Sequence, residues 1–573
     1  MKSKLLLLGW TAALLASTAV IPLVAQTAQL PKCSGLAAAL STNNEISGAT
    51  SAIVPAAAGH PSYCHANFFV STLSGPEDGY LPGQKQHVQV DIGLPLSAAD
   101  GGSGGTQGNW NGRIQDIGGG GFAGSLYSGG TPVTDSTDSG YVGSNTDTGH
   151  TGNGASGAFA LNPDNSLNWG LIRDFAFNGI HLQAVWSKNL TKMYYGMGPK
   201  YTYWNGCSTG GRQGHQQAQK YPDDYDGILA GASAFNWDRF IPAEVWPQVV
   251  MNQEVGAPIA DAKLTAVKQA SIAACDVQDG IGDSVLQDPR TCRYDAKSFV
   301  CKASGPANCL TAVEAGAVNK IWDGVHRSGV GLPFWFGLER GTSLQGFPGF
   351  GLAGSVAFPI ATDWLKYWVF QNPSFDWHTL TEDSFLQAFK QSEIKFHDVI
   401  GTDDPDLSDF RKHGAKMITY HGLADIVIFP RGTYNYYNRV TEREGGLKNV
   451  QKFYRFFPYP GNGHCGGNID QPNAPLIDLS NKGALFQALV NWVEHGVAPD
   501  SIVAYNNPNP ALATVSRPIC KYPDKLVFKG GSTSVAANFT CQQQPNDDFF
   551  TSDLALPDLG ANNGVGQLQT LNK

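Results

Sequence analysis

The segment WNGCSTGGRQG, residues 204–214, contains a serine between two glycines in a G-x-S-x-G arrangement from Gly206 to Gly210. This arrangement is typical of the strained strand-to-helix turn that presents a serine nucleophile in α/β hydrolases. A helix that begins there directs its N-terminus and the Thr209 N–H at a developing oxyanion. The alternative is a glycine-rich turn that contains a serine by chance. We predict that Ser208 is a nucleophile.

A serine nucleophile needs a base and an acid that orients the base, and in this fold the chain order is Ser, Asp or Glu, His. Asp425 ends the strand-like stretch MITYHGLAD, and His464 lies in PYPGNGHCGG after the next predicted strand. Most histidines in proteins are simply packed or exposed side chains. Three others fit the order or the location less well: His150, His421 and His495. We therefore predict a triad of Ser208, Asp425 and His464.

The glycine-rich loop GGGGFAGS, residues 118–125, follows another predicted strand. A loop at this point of the fold supplies the second oxyanion N–H. A phosphate-binding loop is the rival interpretation, but the G-K-[ST] ending is absent. We predict an oxyanion hole formed by the N–H groups of Thr209 and Gly121.

A cysteine stands beside each of two predicted catalytic residues, Cys207 before Ser208 and Cys465 after His464. The two cysteines can bond to each other, or each can pair locally elsewhere. The chain has ten cysteines, and an even number favours disulfides if the chain is exported, as its N-terminal segment predicts below. The C-x-x-C spacing of a zinc ribbon is absent. If the first pairing holds, the other eight fall into neighbours: Cys33–Cys64, Cys275–Cys292, Cys301–Cys309 and Cys520–Cys541.

An acidic loop, CDVQDGIGDSVLQDPRTC at residues 275–292, places Asp276, Asp279 and Asp283 around glycines. Three carboxylates with nearby carbonyls suit a hard cation such as calcium. The spacing is not that of an EF-hand, and a solvated acidic turn is an equally good interpretation of the residues alone.

Predicted strands and helices alternate along the parts of the chain that carry these residues. This alternation indicates a mainly parallel α/β sheet. A helix is predicted over 171–190, and amphipathic spacing predicts another over 483–496. Strands are predicted near 87–95, 113–118, 141–147, 201–206, 226–233, 414–425 and 452–461. From about 235 to 407 the alternation is lost. We predict an α/β-hydrolase domain formed by 29–234 and 408–573, split by an inserted lid domain, 235–407, over the active site.

Composition supports a globular, exported protein. The chain has 573 residues, of which 42% are hydrophobic and 15% charged, with a formal net charge of −9. This balance argues against nucleic acid and anionic membranes as partners. A positive start and an apolar run in residues 1–28 predict a signal peptide, although an uncleaved anchor helix is the alternative. We expect a secreted or periplasmic protein without a membrane span after signal removal.

The chain resembles the tannase and feruloyl esterase family of α/β hydrolases, which also includes the hydrolase of mono-(2-hydroxyethyl) terephthalate. The resemblance extends from about Cys33 to Cys541. It rests on five stretches: GCSTGGRQG, HGLAD, GNGHCGG, WNGR (110–113) and CDVQDGIGD. It implies the triad named above, a Cys207–Cys465 disulfide and a structural calcium in the lid. The implied calcium ligands are the side chains of Asp276, Asp279 and Asp283 and the carbonyls of Ile281 and Val285.

The resemblance also implies substrates. We expect a serine esterase without an organic cofactor that acts on small esters of phenolic aromatic acids, including esters attached to plant polysaccharide or polyphenol. Feruloyl esters are favoured, with galloyl esters of the tannase type as the alternative. The terephthalate branch uses a lid arginine, and GLAGSVAFPI (351–360) has no arginine or lysine. An inactive binding module on a hydrolase scaffold is a rival from another class, which the intact triad disfavours.

Overall fold

The computed structural model describes most of the chain. No helix in the part it describes is long and apolar enough to cross a membrane. The predicted signal peptide lies outside that part. The described residues are 30–57, 59–72, 87–126, 133–327, 330–345, 352–466, 471, 473–476, 478–507 and 509–544.

The described residues contain strands and α-helices from end to end. The strands are β1 Ile46–Val54, β2 Tyr63–Ser71, β3 His87–Pro95, β4 Arg113–Ile117, β5 Val142–Thr146, β6 Tyr201–Cys207, β7 Gly227–Gly231, β8 Val325–Arg327, β9 Val330–Trp335, β10 Lys416–Gly422, β11 Tyr454–Tyr459, β12 Ser501–Tyr505, β13 Ser516–Cys520, β14 Lys525–Phe528 and β15 Phe539–Gln542. The helices are α1 Cys33–Leu40, α2 Val133–Thr137, α3 Trp169–Arg173, α4 Gly179–Tyr195, α5 Thr209–Lys220, α6 Trp237–Ala243, α7 Trp246–Val250, α8 Asp261–Cys275, α9 Ala312–Asp323, α10 Pro359–Asp363, α11 Glu382–Ile400, α12 Ser408–His413, α13 Pro430–Arg443, α14 Leu447–Val450 and α15 Ala484–His495.

Nine strands form one sheet in the order β1-β2-β3-β5-β4-β6-β7-β10-β11. The six strands from β5 to β11 in that order are parallel. The first three are antiparallel and join the sheet through the β3–β5 pair. In parallel strands the carboxyl ends lie at one edge, where ligands bind in open α/β sheets. The loops after β4, β6, β10 and β11 therefore meet at this edge.

The predicted α/β class is confirmed, because helices alternate with parallel strands on both sides of the nucleophile turn. Each of the seven predicted strands overlaps a strand of the sheet. Several elements differ from the prediction. The antiparallel strands β1 and β2 were not expected, and the predicted helix over 171–190 is interrupted by a π-helical turn at Asp174–Asn178.

Residues 232–415 separate β7 from β10 and contain α6 to α12 and the β8–β9 hairpin. Trp364 and Trp368 are fully buried in this insertion, with ring centroids 4.6 Å apart. Trp368 also stacks on Phe122 of the glycine-rich loop and donates from Nε1 to the Gly157 carbonyl at 3.1 Å. The insertion thus packs on the loops that follow β4 and β5, and these two tryptophans belong to its hydrophobic core.

Candidate active site

Ser208 lies at the turn between β6 and α5, with φ +64° and ψ −124°. A non-glycine residue in this region of backbone space is strained, and such strain is concentrated at functional sites. Its N–H donates to the Gly231 carbonyl at 2.9 Å, and its carbonyl accepts from the N–H groups of Arg212 and Ala234 at 3.0 Å each. These bonds hold the turn, and the half-buried serine side chain stays accessible at the sheet edge.

The glycines on either side of Ser208 are required by close backbone contacts. A Cβ on Gly206 would lie 2.6 Å from the carbonyl carbon and oxygen of Gly210. A Cβ on Gly210 would lie 3.1 Å from the Cα of Gly118, in the loop after β4. A side chain at Gly206 is excluded, and one at Gly210 would push the two loops apart. The G-x-S-x-G pattern therefore reflects packing at the turn.

The glycine-rich loop lies beside the serine because β4 and β6 are neighbours in the sheet. The hydroxyl of Thr209 donates to the Gly121 carbonyl at 2.6 Å, and Gln213 Oε1 accepts the Gly119 N–H at 2.9 Å. Helix α5 thereby fixes the loop from behind. Among the described residues, the N–H groups of Thr209 and Gly121 donate to no other group of the protein, so both are available to a ligand.

Asp425 follows β10 and His464 follows β11, in the segment 460–476, of which the structure describes 460–466, 471 and 473–476. This segment is here called the histidine loop. His464 Nδ1 lies 2.8 Å from Asp425 Oδ2. Burial by itself raises the pKa of the Asp425 carboxyl. The charge of His464 and hydrogen bonds from His421 and His464 outweigh burial and hold this pKa well below its usual range. The aspartate is therefore ionised and can orient the imidazole.

A disulfide between Cys207 and Cys465 joins the serine turn to the histidine loop, with Cα atoms 5.8 Å apart. The part of the chain that the structure describes contains no hydrogen bond between Ser208 and His464. Such bonds are often long in a free enzyme and tighten only when substrate binds. The structure thus brings the two predicted catalytic residues to neighbouring positions, and their protein contacts leave both open to a substrate.

The remaining cysteines form the local pairs considered from the sequence, and none of the ten is free. These bridges span 8 to 31 residues, against 258 for the bridge at the catalytic edge. The local pairs are Cys33–Cys64, Cys275–Cys292, Cys301–Cys309 and Cys520–Cys541.

His421, which fits the role of base less well by its place in the sequence, contacts Asp425, the predicted triad aspartate. Its Nε2 lies 3.1 Å from Asp425 Oδ2, and its Nδ1 lies 2.7 Å from Thr433 Oγ1. The contact between His421 and Asp425 is not among the sequence predictions, which consider His421 only as a candidate base. The signal was present in HGLAD, where a histidine at the end of a strand stands four residues before the aspartate.

The acidic loop supplies hard oxygen donors close to one another. Burial, and then the charges of Asp283 and Asp276, raise the pKa of Asp279 to about 6. Repulsion of this kind is relieved by a bound cation, and carboxylate oxygens are the donors that calcium prefers. The chemistry of the donor set therefore fits the ion that the family resemblance implies.

The carboxylates of the acidic loop accept N–H groups of their own loop. Asp276 Oδ1 accepts from Val285 at 3.1 Å, and Asp279 Oδ1 accepts from Ile281 at 2.9 Å. Over the described ranges, no three His, Cys, Asp or Glu side chains are arranged to hold a metal ion. Binding of calcium would require these side chains to turn from the backbone toward a common centre.

The acidic loop also contacts the histidine loop, although the two are far apart in sequence. Gln471 Oε1 accepts the Leu286 N–H at 2.8 Å, and the Gln471 N–H donates to the Gly461 carbonyl at 3.1 Å. Asn473 Nδ2 donates to the Asp283 carbonyl at 3.0 Å. The insertion therefore supports the segment that carries His464, a role that the sequence analysis did not assign to it.

These features define a protein of the α/β class with a strained serine turn at the carboxyl edge of a parallel sheet. The chain belongs to the tannase and feruloyl esterase family, because the family model "Tannase and feruloyl esterase" matches residues 106–542. It is 35% identical over 468 residues to a "Probable feruloyl esterase" of Arthroderma benhamiae, covering 80% of this chain and 83% of the relative.

Two solved structures share the fold. Feruloyl esterase B from Aspergillus oryzae superposes with a TM-score of 0.74 at 27% identity, covering 89% of this chain and 99% of that chain. Tannin acyl hydrolase from Aspergillus niger superposes with a TM-score of 0.72 at 23% identity, covering 90% and 93%. Both types of esterase in the family name are thus represented among proteins of this fold.

Proposed function

We propose that this protein is a serine carboxylic ester hydrolase that cleaves esters of phenolic aromatic acids, with feruloyl esters as its main substrates. One observation supports this type of reaction. At a single sheet edge, neighbouring loops carry a serine in a strained turn, a histidine bonded to a buried aspartate, and two N–H groups without a partner among the described residues. The preference for feruloyl esters draws on the name of the Arthroderma benhamiae relative, which covers four-fifths of the chain.

In the proposed reaction, Ser208 Oγ attacks the ester carbonyl while His464 Nε2 takes its proton. Asp425 accepts the His464 Nδ1–H and stabilises the imidazolium that forms. The N–H groups of Thr209 and Gly121 stabilise the oxyanion. His464 then protonates the leaving alcohol, and a water molecule hydrolyses the acyl-enzyme by the same relay.

The insertion is proposed to act as the lid predicted at residues 235–407. Support comes from its contacts with the catalytic edge. Ile360 Cδ1 lies 3.2 Å from the position that a Cβ on Gly121 would take, and Asp363 Oδ2 accepts the Gly157 N–H at 3.1 Å. An apolar side chain beside the oxyanion loop suits the aromatic acyl group of a bound ester.

The substrate proposal is tested by comparing kcat/KM for methyl ferulate, methyl gallate and mono-(2-hydroxyethyl) terephthalate. We expect methyl ferulate to be hydrolysed most efficiently and the terephthalate monoester least, because no basic residue stands in the 351–360 stretch to hold its free carboxylate. A pure preference for the gallate would overturn the feruloyl proposal and indicate a tannase. Absence of hydrolysis of all three esters would overturn both.

Export from the cytoplasm is part of the proposal. Five disulfides, with all ten cysteines paired, suit an oxidising compartment such as the periplasm or the extracellular space. Residues 1–28 are the proposed signal. Sequencing the N-terminus of the protein recovered outside the cytoplasm tests this, and an intact residue 1 on that protein would contradict cleavage.

A structural calcium is proposed at the acidic loop, held by the side chains of Asp276, Asp279 and Asp283 and the carbonyls of Ile281 and Val285. When bound, the ion would neutralise the carboxylates and stiffen the loop. Chelation should therefore lower the melting temperature, and added calcium should restore it. An unchanged melting curve in excess chelator, together with no calcium in elemental analysis of the purified protein, would rule the ion out.

A further inference from the structure

The carboxylate of Asp425 is fully buried and accepts hydrogen bonds at both oxygens. Oδ1 accepts the N–H groups of Val427 at 2.9 Å and Ile428 at 3.0 Å. Oδ2 lies 2.8 Å from His464 Nδ1 and 3.1 Å from His421 Nε2. Two imidazoles thus share one carboxylate oxygen, and their roles have to be distinguished.

Exposure separates the two histidines. The His421 side chain is fully buried in β10, and both of its ring nitrogens face protein atoms. The His464 side chain is 19% exposed, and in the described part of the chain its Nε2 makes no hydrogen bond. Only His464 can therefore exchange a proton with a substrate, and His421 cannot be the base.

The partners of His421 assign its proton. Nε2 faces two acceptors, Asp425 Oδ2 and the Ile428 carbonyl, each at 3.1 Å, so Nε2 carries the hydrogen. Nδ1 then accepts from the hydroxyl of Thr433, a fully buried residue of α13, at 2.7 Å. With the hydrogen on Nε2, His421 is a hydrogen-bond donor to Asp425.

We propose that His421 is a positioning residue that holds Asp425 in place and limits how strongly this carboxylate attracts the proton of His464. The proposal rests on the proposed triad. A donor to the carboxylate draws off part of its negative charge, so that the imidazolium of His464 is stabilised less than it would be by an unshared oxygen. We therefore expect His464 to lose its proton at a lower pH in the wild-type protein than in a variant that lacks His421.

One other titratable group faces Asp425 from the packed insertion. Glu244, between α6 and α7, is buried, and burial together with the charge of Asp425 raises its pKa well above the usual range. Because Glu244 is the same in every variant compared below, its contribution to the pH profile is common to all of them.

The test measures the pH dependence of kcat/KM for the best ester in three variants. His421→Met removes the donor and keeps most of the volume. We expect the acid limb of the profile to move up by about one pH unit, the size expected for one hydrogen bond to a charged group. We also expect kcat to fall roughly tenfold, with KM changed little.

His421→Gln restores an amide N–H at about the reach of Nε2, so its acid limb should return close to that of the wild type. His215→Met is the matched control, because His215 is equally buried and bonds Gly211 and Tyr454 behind the sheet edge. Its acid limb should stay in place. Rates are normalised to active sites titrated by the acyl-enzyme burst, so that loss of folded protein is not counted.

An acid limb that moves no further in His421→Met than in His215→Met overturns the proposal, as does a His421→Gln profile displaced as far as that of His421→Met. If His421→Met does not fold, Thr433→Val carries the test, since it releases Nδ1 and should move the limb in the same direction by a smaller amount. No movement there is contrary to the proposal. Full turnover in Ser208→Ala would instead refute the triad itself.

Discussion

The serine turn and the histidine loop reach the same sheet edge but are stabilised by different kinds of contact. Ser208 is fixed by backbone contacts, because it lies between a strand and a helix and its flanking glycines are so close that a Cβ on Gly206 would lie 2.6 Å from the Gly210 carbonyl. His464 is fixed by groups distant in sequence: Cys207 through a disulfide, Asp425 through its carboxylate, and Leu286 of the acidic loop through Gln471.

This difference indicates which of the two loops is more sensitive to substitution. The serine turn depends on backbone hydrogen bonds to Gly231 and Ala234 and on the packing of its glycines, so that most side-chain substitutions elsewhere leave it intact. The histidine loop depends on side chains from three parts of the chain, including the insertion. Changes far from the chemistry in sequence should therefore act on the base and leave the nucleophile in place, and such changes should lower kcat more than they alter KM.

Removing the proposed nucleophile or the proposed base should lower activity most, because the reaction requires both the serine turn and the histidine loop. Ser208→Ala and His464→Ala should each lower kcat by roughly 10³-fold or more, the usual result of losing a triad member. Folding should persist, since neither change opens a large cavity. Steady-state kinetics with a chromogenic aryl ester provide the measurement.

The matched control for these variants is His495→Ala, an exposed histidine at the end of α15, which should retain full activity. Near-normal turnover in Ser208→Ala would show that the nucleophile is misassigned.

Removing the bridge between the loops comes next in size. Changing both Cys207 and Cys465 to alanine should lower kcat by about 10²-fold at temperatures where the protein stays folded, because about 1 Å of misplacement has this effect. The free energy of unfolding should fall by on the order of 5 kcal/mol at most, from a closed loop of 258 residues. Kinetics and chemical denaturation measure the two quantities separately.

The bridge Cys520–Cys541 offers the control, since it joins two C-terminal strands, β13 and β15, outside the central sheet. Its double alanine variant should lose about 3 kcal/mol of stability and keep its kcat. If both double variants lose stability but keep their kcat, the Cys207–Cys465 disulfide stabilises the fold and does not position the catalytic residues.

A substitution that weakens the support of the histidine loop alone should have the least effect on kcat. Gln471→Met removes the acceptor for the Leu286 N–H and the donor to the Gly341 carbonyl at 3.1 Å. We expect kcat to fall about threefold to tenfold with KM unchanged, because one or two neutral hydrogen bonds are lost. Gln451→Met is the control, since Gln451 bonds the Tyr522 carbonyl before β11 begins. Equal kinetics in the two variants would remove Gln471 from the support of His464.

Much of the fold follows from local pattern. The parallel strands β4, β6, β7, β10 and β11 are predicted because they are short apolar runs bounded by turn residues. Strand β2 was missed, although its buried Cys64, Ala66, Phe68 and Val70 alternate with less buried neighbours. Strand β1 gives no such signal, because most of its residues are exposed at the end of the sheet.

The site divides in the same way. Ser208 and its glycines can be predicted because the turn is made by consecutive residues. The bond from His421 to Asp425 is also short-range, but its meaning depends on Thr433 of α13 and on burial, which no spacing reveals. The contact of Gln471 with the acidic loop joins residues 185 positions apart. Such contacts arise from tertiary packing of the insertion and have no signature in either segment alone.

The Cys207–Cys465 bridge has a topological consequence. It closes a covalent ring that contains the whole of residues 232–415, with the serine turn at one end of the ring and the histidine loop at the other. A protease that cuts the chain once anywhere between Ser208 and His464 opens the ring but does not release a fragment. The nicked molecule still carries Ser208 and His464 on one covalently joined unit, so that a single cut does not separate the proposed nucleophile from the proposed base.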